Sequence, residues 1–271
     1  MIPRSYLFVP ADRPERFAKA LACGADTVIV DLEDAVAPAD KARARSHLVQ
    51  WLAIARDPGL PPVVVRINAG DTEWFRDDLA ACRGPGVRAI MLPKSERVDT
   101  LSQAASATGV RLIALVETAL GFDNLRAIAN APEVLRIAFG SIDFQLDLGI
   151  TGDGEELLAF RSQLVLASRV AGLPPPIDGV STSIRDAAEV TADASRARRL
   201  GFGAKLCIHP AQVQAVNLAF SPGEQELAWA RRVVEAAAGA GGAAVAVDGK
   251  MVDRPVLLRA QGLLGQTGQA P

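Results

Sequence analysis

Eight short apolar runs, each ending near a polar or charged residue and followed by a stretch of helical spacing, recur along this chain at intervals of roughly 20–40 residues. The runs lie at 6–10, 27–34, 62–68, 89–94, 112–117, 135–142, 176–180 and 204–210. Helical patterns follow at 13–21, 39–55, 74–82, 99–107, 122–130, 155–172, 183–200 and 223–238. An uninterrupted run such as Leu112-Ile113-Ala114-Leu115-Val116 reads as a strand buried on both faces, which is the habit of parallel sheets. Eight such units within a chain of 271 residues predict an α/β fold, a (β/α)8 TIM barrel over residues 1–240. A doubly wound open sheet is the runner-up, but no Gly-x-Gly-x-x-Gly or Gly-x-x-x-x-Gly-Lys-Ser/Thr follows the first strand. Beyond the run Gly239-Ala240-Gly241-Gly242, which reads as a hinge, residues 241–271 form a C-terminal tail or lid segment that a barrel does not require.

A parallel barrel gathers the residues at its strand C-termini into one mouth. Here they are Asp31, Glu33, Asp34, Arg66, Lys94, Glu117, Asp143, Asp178 and His209. Glu117 and Asp143 close neighbouring strands, and two carboxylates with little else to complete a cage suit Mg²⁺, which keeps waters and accepts substrate oxygens. The plainer alternative is a pair of surface acids in βα turns. Arg66 adds a planar fork that takes a carboxylate through two parallel hydrogen bonds. Together these favour a 2-oxo or 2-hydroxy acid and carbon–carbon bond chemistry beside a carbonyl, where a metal stabilises the developing oxygen charge. Lys94 is a poor Schiff-base candidate, because acidic neighbours keep an ammonium protonated. No Ser-His-Asp set stands out.

Composition narrows the partners. The formal net charge is −2 and the isoelectric point about 5.8, so no basic surface recommends nucleic acid or an anionic membrane. No apolar run reaches the roughly 18 residues of a membrane span, and the first residues lack a signal-peptide pattern. Cys23, Cys82 and Cys207 are odd in number and far apart, which reads as reduced thiols and a cytoplasmic location.

The motifs Arg4-Ser5-Tyr6-Leu7-Phe8-Val9-Pro10, Val30-Asp31-Leu32-Glu33-Asp34-Ala35-Val36, Val65-Arg66-Ile67-Asn68, Leu92-Pro93-Lys94, Val116-Glu117-Thr118, Gly140-Ser141-Ile142-Asp143-Phe144 and Lys205-Leu206-Cys207-Ile208-His209-Pro210 occur in this order. Their combination resembles the citrate lyase beta-subunit family, with its malyl-CoA and citramalyl-CoA lyases, in the HpcH/HpaI aldolase superfamily. The resemblance implies a (β/α)8 barrel, a homotrimer or hexamer, and Mg²⁺-dependent cleavage of a 3-hydroxyacyl thioester, carried on CoA or an acyl carrier, into an acetyl thioester and a 2-oxo acid. It makes Glu117 and Asp143 the metal ligands and Arg66 the substrate-carboxylate arginine. Asp31, Glu33 and Asp34 match acids that hold metal-bound waters, and Glu33 joins Arg66 and Asp253 as the catalytic candidates. Arg4 and Lys94 are expected at the substrate, with barrel closure as the alternative for Arg4 and a brace on Glu117 or Glu33 for Lys94. Asp253, within Met251-Val252-Asp253-Arg254-Pro255-Val256, either turns the chain beside Arg254 or closes over the mouth as an acid, in cis or from a neighbouring subunit. His209 is expected to be structural. Where the family has glycine after Val9-Pro10, this chain has Ala11-Asp12. A metal-dependent aldolase releasing pyruvate from a free hydroxy-oxo acid and a non-catalytic binding subunit are the competing readings.

Overall fold

The computed structural model describes residues 2–54, 63–239 and 244–266. Eight parallel strands, β1 (Ser5–Pro10), β2 (Thr27–Asp31), β3 (Val63–Arg66), β4 (Val87–Leu92), β5 (Leu112–Val116), β6 (Val134–Phe139), β7 (Ile177–Asp178) and β8 (Ala204–Cys207), pair in sequence order. The barrel closes where β1 pairs with β8, Tyr6 opposite Leu206 and Leu7 opposite Cys207. Helices alternate with the strands, among them Lys41–Ile54, Phe75–Ala81, Val98–Thr108, Leu158–Val170 and Ala187–Leu200. The (β/α)8 expectation therefore holds. The apolar runs build this fold because both sides of each strand are covered. Tyr6, Ile29, Val64, Met91, Ile113, Leu115, Ala138, Ile177 and Leu206 fill the interior, and intervening residues such as Val28, Val65 and Ile90 are equally buried on the helix side.

The differences from expectation are local. β6 ends at Phe139, and a helix, Ser141–Leu148, starts two residues later, so Asp143 stands in its first turn rather than at a strand tip. The pattern over 122–130 resolves into two short helices, Ala119–Asp123 and Leu125–Ala129. A further helix, Pro210–Phe220, follows β8.

The chain divides into two compact units, Ile2–Asn217 and the residues from Leu218 onward. This differs from the boundary expected at 240/241, because the helix Glu224–Gly239 shares an apolar cluster with the tail: Ala230, Val233, Val252, Ala260, Leu263 and Leu264 are all buried together. The expected hinge falls largely on residues 240–243, outside the described residues. In the tail, β9 (Val245–Val247) and β10 (Lys250–Val252) form a hairpin about Asp248 and Gly249, both with positive φ, the backbone of a type I′ turn. The helix Arg254–Gly265 follows. No helix among the described residues is long and apolar enough to cross a membrane.

Candidate active site

Strand parity places the site. Ile29, Val64, Ile113 and Leu115 point into the barrel, and two residues further along their strands Asp31, Arg66 and Glu117 continue the same inner face at the C-terminal rim. Asp31 and Arg66 are register partners between β2 and β3. Arg66 donates from Nε to Asp31 Oδ1 at 2.7 Å and from Nη2 to Oδ2 at 2.6 Å. Asp31 also accepts from the backbone N–H groups of Glu33 and Ala35, at 3.0 and 3.2 Å, so all four of its lone-pair positions are filled. Asp31 therefore holds Arg66 and the following turn and has no acceptor left for a metal-bound water. The Arg66 guanidinium stacks 4.6 Å over the Phe8 ring. Burial opposes its charge, but Asp31, Glu33 and Asp34 outweigh that and keep it above its ordinary range.

The opposite edge of the guanidinium faces Glu33 and Asp34. Nη1 lies 2.8 Å from Glu33 Oε2, without hydrogen-bond alignment, and 3.4 Å from Asp34 Oδ2. Burial raises the Glu33 carboxyl to about 7, with Arg66 opposing and Asp34 and Asp31 adding to the rise. The turn that carries these acids is tied from below. Lys41 Nζ donates to the carbonyls of Leu32 and Glu33 at 2.8 and 2.9 Å, and Asn68 Nδ2 donates to Leu32 O at 3.0 Å.

Glu117 is 3 % exposed. Its Oε1 accepts the Lys94 backbone N–H at 2.8 Å, and Lys94 takes a left-handed conformation, φ 43°, to deliver it. Gly140 leaves the space beside it, since a Cβ there would collide with Glu117 Cβ and Oε2. Thr118 then caps the helix Ala119–Asp123, accepting from Gly121 N at 3.1 Å and donating to Glu96 Oε1 at 2.8 Å. Burial pushes the Glu117 carboxyl up to about 8, and the charges of Glu33 and Asp143 add to this. Asp143 is raised as well, by burial first and by Asp34, with Arg66 and Lys94 opposing. A carboxylate so deprived of a bonded cation fits a bound divalent ion. No group of three or more His, Cys, Asp or Glu side chains is placed to hold a metal among the described residues. Two carboxylates, Glu117 and Asp143, could hold an ion that takes its remaining ligands from water and substrate, the preference of Mg²⁺.

The remaining candidates separate. The Lys94 side chain is exposed, and it is the backbone N–H that meets Glu117. Arg4 does not stand at the mouth. It precedes β1 at the N-terminal end of the barrel, where it pairs with Asp26 at 2.9 Å, because Asp26 directly precedes the parallel neighbour β2. Asp178 points outward, fully buried between Arg161 (2.9 Å) and Lys205 (3.1 Å); burial works against its ionisation, but the two cations win and hold its carboxyl below the usual range. His209 Nδ1 accepts the Ala211 N–H at 3.2 Å in the first turn of Pro210–Phe220, a structural role. Asp253 is the N-cap of Arg254–Gly265 and accepts from Val256 N at 3.2 Å rather than pairing with Arg254. The sequence carries only slight signals for Lys41 and Gly140, a lysine just after an acidic turn and a glycine opening a motif.

The mouth encloses a cavity of about 370 Å³ lined by Asp31, Asp34, Arg66, Glu117 and Asp143 together with apolar side chains. The chain is similar to the citrate lyase subunit beta-like protein of Mycobacterium tuberculosis strain H37Rv, 40% identical over 98% of this chain and 96% of the relative. It is also 36% identical to the (3S)-malyl-CoA thioesterase of Cereibacter sphaeroides strain ATCC 17025, over 97% of this chain and 94% of that one. The crystal structure of CitE from M. tuberculosis in complex with magnesium, acetoacetate and coenzyme A superposes with a TM-score of 0.87 at 39% identity, covering 98% of each chain. The model of the HpcH/HpaI aldolase/citrate lyase family matches residues 4–210, the span that carries every strand of the barrel and each residue of this mouth, and the chain belongs to that family.

Proposed function

We propose that this chain is a Mg²⁺-dependent carbon–carbon lyase that cleaves a 3-hydroxyacyl thioester, such as a citramalyl, malyl or citryl thioester, into an acetyl thioester and a 2-oxo acid. The observation that carries the reading is a buried, cation-deprived Glu117 beside Asp143, across the barrel mouth from an arginine whose outer edge faces the cavity. The magnesium and coenzyme A bound by the M. tuberculosis structure support it. Glu117 and Asp143 would hold the ion, which when bound supplies a Lewis acid at the oxo-acid oxygen. Arg66 keeps one edge on Asp31 and offers Nη1 and the second Nη2 proton to the substrate carboxylate, displacing Glu33 and Asp34. Glu33, whose carboxyl titrates near neutrality, takes the proton of the 3-hydroxyl. The C2–C3 bond then breaks, its electron pair passes into the thioester enolate, and Asp253 returns a proton to carbon. CoA or an acyl carrier protein bears the thioester, a homotrimer or hexamer is the assembly, and the cytoplasm is the setting.

Incubating the protein with Mg²⁺ and a panel of thioesters, and following 2-oxo acid and acetyl thioester, tests the reading directly. A second reading, thioester hydrolysis, is favoured by the likeness to a malyl-CoA thioesterase. The two differ in product: hydrolysis liberates free thiol without 2-oxo acid, cleavage liberates 2-oxo acid with the thioester intact. Neither product from any thioester would remove both.

A further inference from the structure

The acidic turn after β2 lies between two cations. On the barrel side Arg66 gives one edge to Asp31 and turns the other toward Glu33 and Asp34. On the helix side Lys41, the first residue of the helix Lys41–Ile54, is 5 % exposed and reaches under the turn. Its ammonium donates to the carbonyls of Leu32 and Glu33 and lies 5.1 Å from the centroid of the Trp74 ring. Burial works against this charge and holds it below the ordinary lysine range, with Asp31 and Glu33 opposing most strongly. Two neutral carbonyls are a costly resting place for a buried cation, and a neutral donor would tie them too.

The backbone of Glu33 is fixed at both ends. Its N–H donates to Asp31 Oδ1 at 3.0 Å, and its carbonyl accepts from Lys41 Nζ and from Val36 N, each at 2.9 Å. Its carboxylate is held less firmly, since Oε2 lies 2.8 Å from Arg66 Nη1 with no aligned hydrogen bond. When a substrate carboxylate takes that edge of Arg66, the frame of the turn is what keeps Glu33 over the mouth. We propose that Lys41 is a positioning residue for the reaction: through the Leu32 and Glu33 carbonyls it fixes the frame from which the Glu33 carboxylate reaches the substrate hydroxyl. The inference rests on the lyase reading, with Glu33 as proton acceptor, and deepens it. A charge suits this task better than a neutral donor, because three carboxylates crowd the turn and Arg66, once it carries the substrate, no longer offsets Glu33 and Asp34.

The test is a double-mutant cycle on Lys41 and Glu33. Lys41→Met removes the ammonium at nearly constant length; Lys41→Gln, which keeps a neutral donor, takes its place should the methionine variant not fold. Each is assayed alone and combined with Glu33→Gln, for kcat and KM on the thioester that the wild type cleaves and for Mg²⁺ affinity by calorimetry. Glu33→Gln should lower kcat by about a hundredfold and Lys41→Met by about tenfold. KM and Mg²⁺ affinity should change little, since Arg66 keeps its hold on Asp31, and Glu117 and Asp143 stand beyond β5 and β6. The double variant should match Glu33→Gln alone to within about twofold, because a frame with no base to hold has nothing further to lose. Wild-type kcat in the folded Lys41 variant, losses that multiply in the double variant, or a parallel fall in Mg²⁺ affinity would each overturn the proposal. Undiminished kcat in Glu33→Gln would remove Glu33 as proton acceptor and the role of Lys41 with it, leaving the lyase reading intact. Failure of the wild type to cleave any thioester would overturn the lyase reading itself.

Discussion

Glu117 is the residue at which burial and purpose oppose each other most strongly, and the opposition has a pH signature. Its carboxyl titrates near 8 in the folded chain and at the ordinary carboxylate value once unfolded. Between those values the folded state holds a proton that the unfolded state has lost. The metal-free protein should therefore lose stability as pH rises from about 5 to about 8, and Mg²⁺ should raise Tm more at pH 8 than at pH 6; thermal melts with and without Mg²⁺ measure both. Glu117→Gln removes the titration at nearly constant shape. We expect it to raise the metal-free Tm by about 5 °C at pH 8 while abolishing both the Mg²⁺ response and turnover; undiminished turnover in this variant ends the metal-site proposal. Asp143→Asn should likewise lose activity with its circular dichroism unchanged. That Glu117 and Asp143 both reach the mouth was legible in the sequence, since each follows an apolar run. How Asp31 divides from Glu33 and Asp34 was not, because the filling of all four Asp31 acceptor positions depends on cross-strand register.

Among the elements, the helix Ser141–Leu148 shows where a pattern misleads. Residues 135–142, interrupted only by Arg136 and Ser141, read as one apolar run, so strand and helix blur together in the sequence, and Gly140 marks the corner. Gly140→Ala should displace the Glu117 carboxylate and weaken Mg²⁺ affinity by tenfold or more, about 1.4 kcal/mol, which calorimetric titration of the folded variant would show. Asp253 heads the last helix, and its cap and its proposed role as an acid come apart by substitution. Serine keeps a helix N-cap but supplies no carboxylic acid, whereas alanine loses both. Asp253→Ser should hold Tm and lower kcat sharply, while Asp253→Ala adds a stability loss of about 1 kcal/mol. Wild-type kcat in the serine variant leaves Asp253 a cap and nothing more. The hairpin before it had its Asp-Gly turn in plain view, but strands of three residues are too short to register as a period.

At the level of the whole molecule, the barrel was readable because its strands are buried on both sides, and the second unit was not, because the helix that founds it looks like an eighth barrel helix until its packing partner is known. If Asp253 serves a neighbouring subunit, mixed oligomers of Asp253→Asn and Glu117→Gln should recover activity that neither has alone; no recovery in verified mixtures restricts the tail to its own chain. The same alternation that fills the barrel also builds its mouth, since Asp31, Arg66 and Glu117 are the upper ends of interior columns beginning at Ile29, Val64 and Ile113. A single-codon deletion within β2, β3 or β5 therefore cannot merely trim the pocket: it turns the acid or the arginine into the helix layer and exchanges the inner column for the outer one in the same event. Gene lineages built on this plan can vary the mouth by point changes or by lengthening the turns beyond the strands, and strand length itself is closed to them as a source of variation.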